Sequence, residues 1–342
     1  MHKTFSTLLT NNAQEVNQFP SLKTALEHST NSLSCLLLNK EVNWFTNDYG
    51  AIGFFKYKNM NMCIGGILSS EENKQNLLSK FLEFNKAAKT FPIFLHFSES
   101  DFNLLKQYGF NINQLGASYS LSLENYTIEG KSFQQLRNKI NKAKKKGIVV
   151  KEIFSQQKLD LLKPQLEFIN TLWLKNKGGN ALSKLVIDFN SIELNSGEHR
   201  LYIASIGDNV LAYIIYTRTY GKTLGWFHNL SRRIPDAPNG IMQLINQTAI
   251  NQFKKENQVA YLHFGFTPLV EFENTKQIND SFLFYKVAKW LASKGGGVYP
   301  AASQRQYKVS WRPSMIEPEL VAFPKGKVLK TLWFILRATN SI

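Results

Sequence analysis

Cysteine is scarce: the 342 residues hold only Cys35 and Cys63, each inside an apolar run where a buried thiol is the expected state. That excludes a disulfide-stapled scaffold. No CxxC pair occurs and the six histidines (His2, His28, His96, His199, His228, His263) are scattered, so no structural metal is expected; no cofactor is expected either. Long apolar runs are also missing. No stretch approaches the ~18 residues of a membrane-spanning helix. The polar first thirty residues lack the apolar core of a secretory signal. The expected location is the cytoplasm, or a peripheral position at the inner face of the membrane. Acidic residues are in deficit, 25 Asp and Glu against 41 Lys and Arg, a formal charge of +16. Such an excess favours an anionic partner: nucleic acid, a phosphorylated small molecule or an anionic membrane. What is plentiful points to a globular chain. With 43% hydrophobic, 13% aromatic and 19% charged residues, a disordered or collagen-like protein is excluded. The length suggests two domains of roughly 150 residues.

Strand-like and helix-like stretches alternate. In the first half, strands are expected at Ser34–Leu38, Ala51–Tyr57, Asn61–Leu68, Phe91–Phe97 and Ser118–Leu123, with helices at Glu71–Ala87 and Ser98–Tyr108. In the second, helices are expected at Gln157–Lys175, Gly240–Glu256 and Ser281–Lys294. Strands there are expected at Arg200–Ile206, Val210–Thr217, Lys222–His228 and Val259–Phe264. A glycine-containing turn leads from strand to helix in each half: Ile64-Gly65-Gly66 and Pro238-Asn239-Gly240. The order of elements therefore repeats, and the expected domains are 1–130 and 131–342, the second opening with a basic linker helix at 132–146.

That linker carries seven basic residues and no acid from Lys131 to Lys146. Phe133, Leu136, Ile140 and Ala143 recur at three and four residues and form a buried stripe that Gly147 terminates. Arg137, Asn141 and Lys144 border the stripe, placed to line a groove, whereas Lys139, Lys142 and Lys146 point to solvent. A solvated linker face is the competing reading.

The segment Arg232-Arg233-Ile234-Pro235-Asp236-Ala237-Pro238-Asn239-Gly240-Ile241-Met242 follows a strand and opens a helix. Strand, turn and helix in that order resemble GNAT-type acyltransferases, whose free amides at the helix start bind pyrophosphate. Their second loop glycine is missing here and two prolines remove amide donors, which argues against acetyl-CoA as the donor. Pro235 to Met242, PDAPNGIM, resembles the C-terminal transferase region of bacterial phosphatidylglycerol lysyltransferases. Arg232, Gly265 with Pro268-Leu269, Gly130 through Gly147, and Tyr299, Arg305, Tyr307, Lys308 and Pro313 extend the similarity over most of the chain.

The resemblance implies a mixed α/β (α+β) fold of two tandem GNAT-like acyltransferase domains, each a twisted mixed sheet flanked by helices, in a stand-alone soluble member. It implies transfer of an aminoacyl group from charged tRNA to a hydroxyl or amine, on a phosphatidylglycerol-type lipid or a small molecule. A tRNA donor accounts for the basic charge and makes a coenzyme A phosphate loop dispensable. Asn229 and Gln243 stand where the family has aspartates, and Ser310 where it has a lysine. Losing two carboxylates argues against lysine as the transferred residue.

In this scheme Lys308 and Arg232 share one cleft and hold the tRNA terminus or the oxyanion, with free amides near Asn239 and Gly240. His228 or His263 is available as a base, unless each is a satisfied core histidine. Gly265, Arg305 and Tyr307 line the substrate, and Glu271 and Asp280 contact the donor's amino group or are ordinary surface carboxylates. Arg233 meets phosphate or solvent. Among Trp173, Trp226, Tyr285, Trp290 and Trp311, Trp311 is the best placed to stack on the terminal adenine, and Trp226 and Tyr285 belong in the core. The segment 325–337 mixes cations with apolar residues and either lies on an anionic membrane or docks over the second domain. Two other readings stay open: a GNAT-type enzyme using another acyl thioester, and a degenerate copy that binds RNA or lipid without catalysis.

Overall fold

The computed structural model describes residues 22–177, 186–256, 259–272, 278–294 and 301–338. The first half runs α1 (Leu22–Glu27), β1 (Asn43–Asn47), β2 (Gly50–Tyr57), β3 (Met60–Ile64), α2 (Lys74–Ala87), β4 (Phe91–Leu95), α3 (Phe102–Gln107) and β5 (Phe110–Ser122). The second continues with α4 (Gln134–Lys145), β6 (Val149–Ile153), α5 (Gln156–Lys177), β7 (His199–Ile206), β8 (Asn209–Thr219), β9 (Gly225–Arg233) and α6 (Ile241–Phe253). It closes with β10 (Tyr261–Pro268), α7 (Phe282–Lys294), α8 (Ala301–Val309), β11 (Met315–Pro324) and α9 (Val328–Ala338). The strand expected at Ser34–Leu38 is instead a 3-10 helix, Ser32–Leu38. Asn31 starts it, its side-chain oxygen accepting the Leu33 amide at 2.8 Å, which commits the apolar run to a turn rather than a ladder. Strands β1, β6 and β11 and helices α1 and α8 were not expected.

All described strands join one sheet in the order β1-β2-β3-β4-β11-β5-β10-β9-β8-β7-β6. Two neighbouring pairs are parallel, β3 with β4 and β9 with β10, and each is joined by one helix, α2 or α6. The same succession, three antiparallel strands, a helix and a parallel return, thus occurs in both halves. The expected division at residue 130 falls between β5 and α4. The sheet crosses it, because β11, from the far end of the chain, lies between β4 and β5. β5 is the seam, pairing with β11 along its length and with β10 from Gly116 to Ser122.

Two layers cover the second half. On one face α4 and α6 pack on Tyr202, Ile214, Tyr216 and Trp226. On the other, Leu159, Leu166 and Ile169 of α5 pack on Leu201, Tyr213, Ile215 and Leu230. The α4 stripe is as expected: Leu136, Ile140 and Ala143 are buried, each large apolar side chain contributing roughly 1.5–3 kcal/mol. Gly147, at φ 75°, ends the helix in the left-handed region. Cys35 and Cys63 are buried, free thiols. The segment 325–337 docks, but on the first half: Phe334 meets Tyr57 and Phe91, with ring centroids at 5.2 and 6.2 Å. Among the described residues no helix is long and apolar enough to cross a membrane, and no cluster of His, Cys, Asp and Glu could hold a metal ion.

Candidate active site

β9 and β10 pair only from Gly225 to Phe227 against Tyr261 to His263, although both strands run on, to Arg233 and Pro268. Beyond that point they splay apart. A bulge between His263 and Gly265 bends β10 away. Gly265 takes φ 75°, and a β-carbon there would press on the Phe227 ring, so a glycine is required. The corresponding parallel pair of the first half stays closed. β3 and β4 pair over all five residues. The turn after β3 is sealed by Asp101, which accepts the Ile67 amide at 3.0 Å and pairs with Lys74 at 2.7 Å. Of the two parallel pairs, only that of the second half stops pairing before its strands end.

Lys308 of α8 sits at that splay. Its side chain is buried, and Nζ donates to the carbonyls of Gly265 and Phe266, both at 2.9 Å. The ring of Tyr119 lies 5.6 Å away. Burial pushes the amine down to about 7, and the carboxylate of Glu319 partly offsets it. His228 lies across the splay on β9, against the rings of Tyr216 (5.6 Å) and Phe264 (6.1 Å). Its imidazole is driven down to about 3 by burial and then by the charge of Lys308, which makes it neutral at pH 7 and a weak base. Tyr307 accepts from Asn246 Nδ2 at 2.7 Å, and Asn246 Oδ1 accepts from Tyr216 at 2.9 Å, tying α8 to α6 and β8. Arg305 bridges to Glu271 at 2.5 Å at the rim. Burial, then the Glu271 carboxylate, pushes the Tyr119 hydroxyl up to about 12. Lys308, His228, Gly265, Tyr307, Arg305 and Glu271 are therefore gathered into one neighbourhood.

Arg232 is not part of it. Four residues apart on a regular strand, His228 and Arg232 would share a face. β9 is bulged at Asn229, so His228 pairs with Tyr216 while Arg232 pairs with Tyr213 on the α5 face. There the guanidinium lies 3.9 Å over the Trp173 ring and Nε donates to Asn170 at 3.0 Å. Burial lowers it to about 10. The expectation of one cleft holding Arg232 and Lys308 is corrected accordingly: the two sit on opposite faces of the sheet. Asn229 itself is spent on the backbone of Ile187, donating to its carbonyl at 2.7 Å and accepting its amide at 3.3 Å. Ser310 donates to the Tyr307 carbonyl at 2.6 Å.

Other expectations change as well. Asp280 pairs with Lys106 at 2.9 Å and accepts the Ile112 amide, so it braces the first half instead of meeting a donor. His263 is a satisfied core histidine between Ser120 and the Thr223 carbonyl. Trp311 is fully buried and stacks on Phe264 at 5.5 Å, which removes it from adenine binding. Trp226 is buried as expected. Arg137 caps its own approach loop, donating to the carbonyls of Ile128 and Gly130 at 2.6 Å. Asn141 and Lys144 are exposed beside it. Arg233 is exposed and donates to the Pro235 carbonyl at 3.2 Å. Asn239 is exposed, and Gly240, at φ 92°, packs so closely on the Lys139 carbonyl that a β-carbon has no room. Tyr299 lies outside the described residues.

Glu319 was missed. Its buried carboxylate accepts from Ser118 and Asn31 and meets His96 Nδ1 at 2.9 Å. The signal in the sequence was an acid at the head of an apolar run, Glu319-Leu320-Val321-Ala322-Phe323.

A mixed sheet with a splayed parallel pair, a helix following the first of those strands and a buried amine between them makes this a GNAT-like acyltransferase fold. The C-terminal domain of a putative lysylphosphatidylglycerol synthetase from Agrobacterium fabrum superposes with a TM-score of 0.74 at 15% identity, covering 94% of this chain and 96% of that one. L-PGS from Bacillus licheniformis gives 0.72 at 20% identity, covering 95% and 98%. The phosphatidylglycerol lysyltransferase of Staphylococcus xylosus is 25% identical over 320 residues, 89% of this chain and 35% of its own length. That of Staphylococcus aureus (strain MRSA252) is 22% identical over 308 residues, with the same coverage. The chain thus spans about a third of the curated relatives it matches. It belongs to the phosphatidylglycerol lysyltransferase C-terminal family, whose model matches residues 23–323.

Proposed function

We propose that this protein moves an aminoacyl group from charged tRNA to a hydroxyl of a phosphatidylglycerol-type lipid, with Lys308 as the cation that stabilises the oxyanion. The observation carrying this reading is the fixed, buried amine at the splay. An ammonium has three N–H donors; the carbonyls of Gly265 and Phe266 take two, and the third serves the ester oxygen as it gains charge. The acceptor oxygen attacks the ester carbonyl carbon. The collapsing intermediate expels the ribose oxygen of the tRNA, which takes up the proton the acceptor loses. One ester replaces another of similar energy, so orientation and charge stabilisation suffice. His228, neutral and opposite Lys308, accepts a hydrogen bond from the incoming hydroxyl and orients it. Glu271 faces the donor's ammonium at the rim.

The acid-free surface of α4, with Lys139, Lys142, Lys144 and Lys145 exposed, supplies the phosphate-binding face for tRNA. Because Asn229 is bound to Ile187 and Gln243 carries no charge, the transferred residue is one without a cationic side chain. The inner face of the membrane, where the acceptor resides, is the site of action in this reading. Incubation with total charged tRNA and phosphatidylglycerol vesicles tests it: one amino acid should leave tRNA and appear on the lipid. Retention of every amino acid on its tRNA would refute it and leave the thioester and non-catalytic readings.

A further inference from the structure

Exposed apolar residues recur on α7 and α9, two helices in contact with each other. Of the thirteen large apolar side chains exposed among the described residues, five lie on these two helices: Phe282, Leu283, Trp290, Leu329 and Trp333. Phe282 and Leu329 are 66% and 68% exposed, far more than a water-facing helix needs. Neither helix contains an acidic residue. Cations stand among the apolar groups instead. Lys286 lies 4.5 Å over Phe282, Lys289 4.9 Å over Tyr285, and Lys58, from the β2–β3 turn, 5.2 Å over Trp333. Lys330 is exposed beside Leu329. The inner sides of both helices are spent on the core, through Phe284 and Ala288 of α7 and Phe334 of α9, and the exposed apolar groups lie on the sides turned away from it.

We infer that α7 and α9 together form a docking surface for an anionic lipid bilayer. Apolar and aromatic side chains that enter the headgroup boundary, with lysines among them and no acid on either helix, match such a surface in both hydrophobicity and charge. The surface adjoins the candidate active site. Phe272, next to Glu271, packs edge-on against Tyr285 of α7 with centroids at 6.4 Å. Docking there sets the site's rim at the level where a lipid headgroup is reached. This role rests on the lipid-acceptor reading; the docking itself does not.

Sedimentation of the full chain with vesicles of phosphatidylcholine, with and without phosphatidylglycerol, tests the inference. The wild type should sediment with the anionic vesicles only. Lys286→Ala and Lys289→Ala should each weaken binding about fivefold, and the double variant Phe282→Glu/Leu329→Glu should abolish it without changing the thermal melt. Sedimentation of that double variant like wild type, equal binding to neutral vesicles, or a shift from dimer to monomer with no effect on vesicles would overturn it. Transfer to detergent-dispersed phosphatidylglycerol separates the two proposals. The double variant should keep that activity; if wild type binds vesicles yet transfers nothing, the docking surface stands and the transferase reading falls.

Discussion

Lys308→Met preserves length and apolar bulk while removing the amine, so it separates the two consequences of burying a charge at the splay. The gap between the ordinary lysine range near 10.5 and the value of about 7 imposed by burial corresponds to about 5 kcal/mol held against the charged form. Between pH 7 and 10.5 the unfolded chain keeps a proton that the folded chain has released, so wild-type stability rises with pH across that window. Below pH 7 both states are protonated and the penalty is full and constant. The variant has no such dependence. Its stability relative to wild type should therefore fall by about 2 kcal/mol between pH 7 and pH 9 in urea titrations. Its transfer rate should fall by about 10²–10³, the usual cost of removing one oxyanion donor. A stability difference that does not change with pH, or a variant that turns over like wild type, would refute the reasoning.

Arg232→Ala should cost about 1–2 kcal/mol of stability through loss of its stack on Trp173 and change turnover only a few-fold. A hundredfold loss of rate with an unchanged melt would return Arg232 to the chemistry. Gly240→Ala should destabilise by more than about 2 kcal/mol in urea titration, because the left-handed backbone and the Lys139 carbonyl both exclude a β-carbon; a neutral result would contradict the close packing of α4 on α6. Replacing Lys142, Lys144 and Lys145 by Ala should reduce the slope of log K for tRNA against log salt by about 0.7–0.9 for each phosphate that is no longer neutralised. An unchanged slope would remove α4 from the interface.

Elements whose burial follows local periodicity were legible in the sequence. The three-and-four spacing of Leu136, Ile140 and Ala143, and Gly147 after it, locate α4 to within two residues. What depends on distant partners was not. β11 reads as irregular because Glu317-Pro318-Glu319 breaks its alternation, and its buried face exists only because it inserts between β4 and β5. The site was half legible. Lys308, Tyr307 and Gly265 came from motif resemblance and do converge, whereas Arg232 was misplaced because one bulged residue, Asn229, reverses the facing of everything after it. Trp311, which sequence position favours as a stacking surface beside Arg312 and Pro313, is covered by Phe264 from β10, a packing partner no local pattern encodes.

Mass spectrometry of the lipid extract, after phosphatidylglycerol vesicles are incubated with charged tRNA and either wild-type protein or Lys308→Met, tests the central claim most directly. An aminoacyl ester of phosphatidylglycerol should form with the wild type and be lost, to within a per cent or so, with the variant. Equal amounts of that ester from both proteins, or none from the wild type with any charged tRNA, would contradict the account.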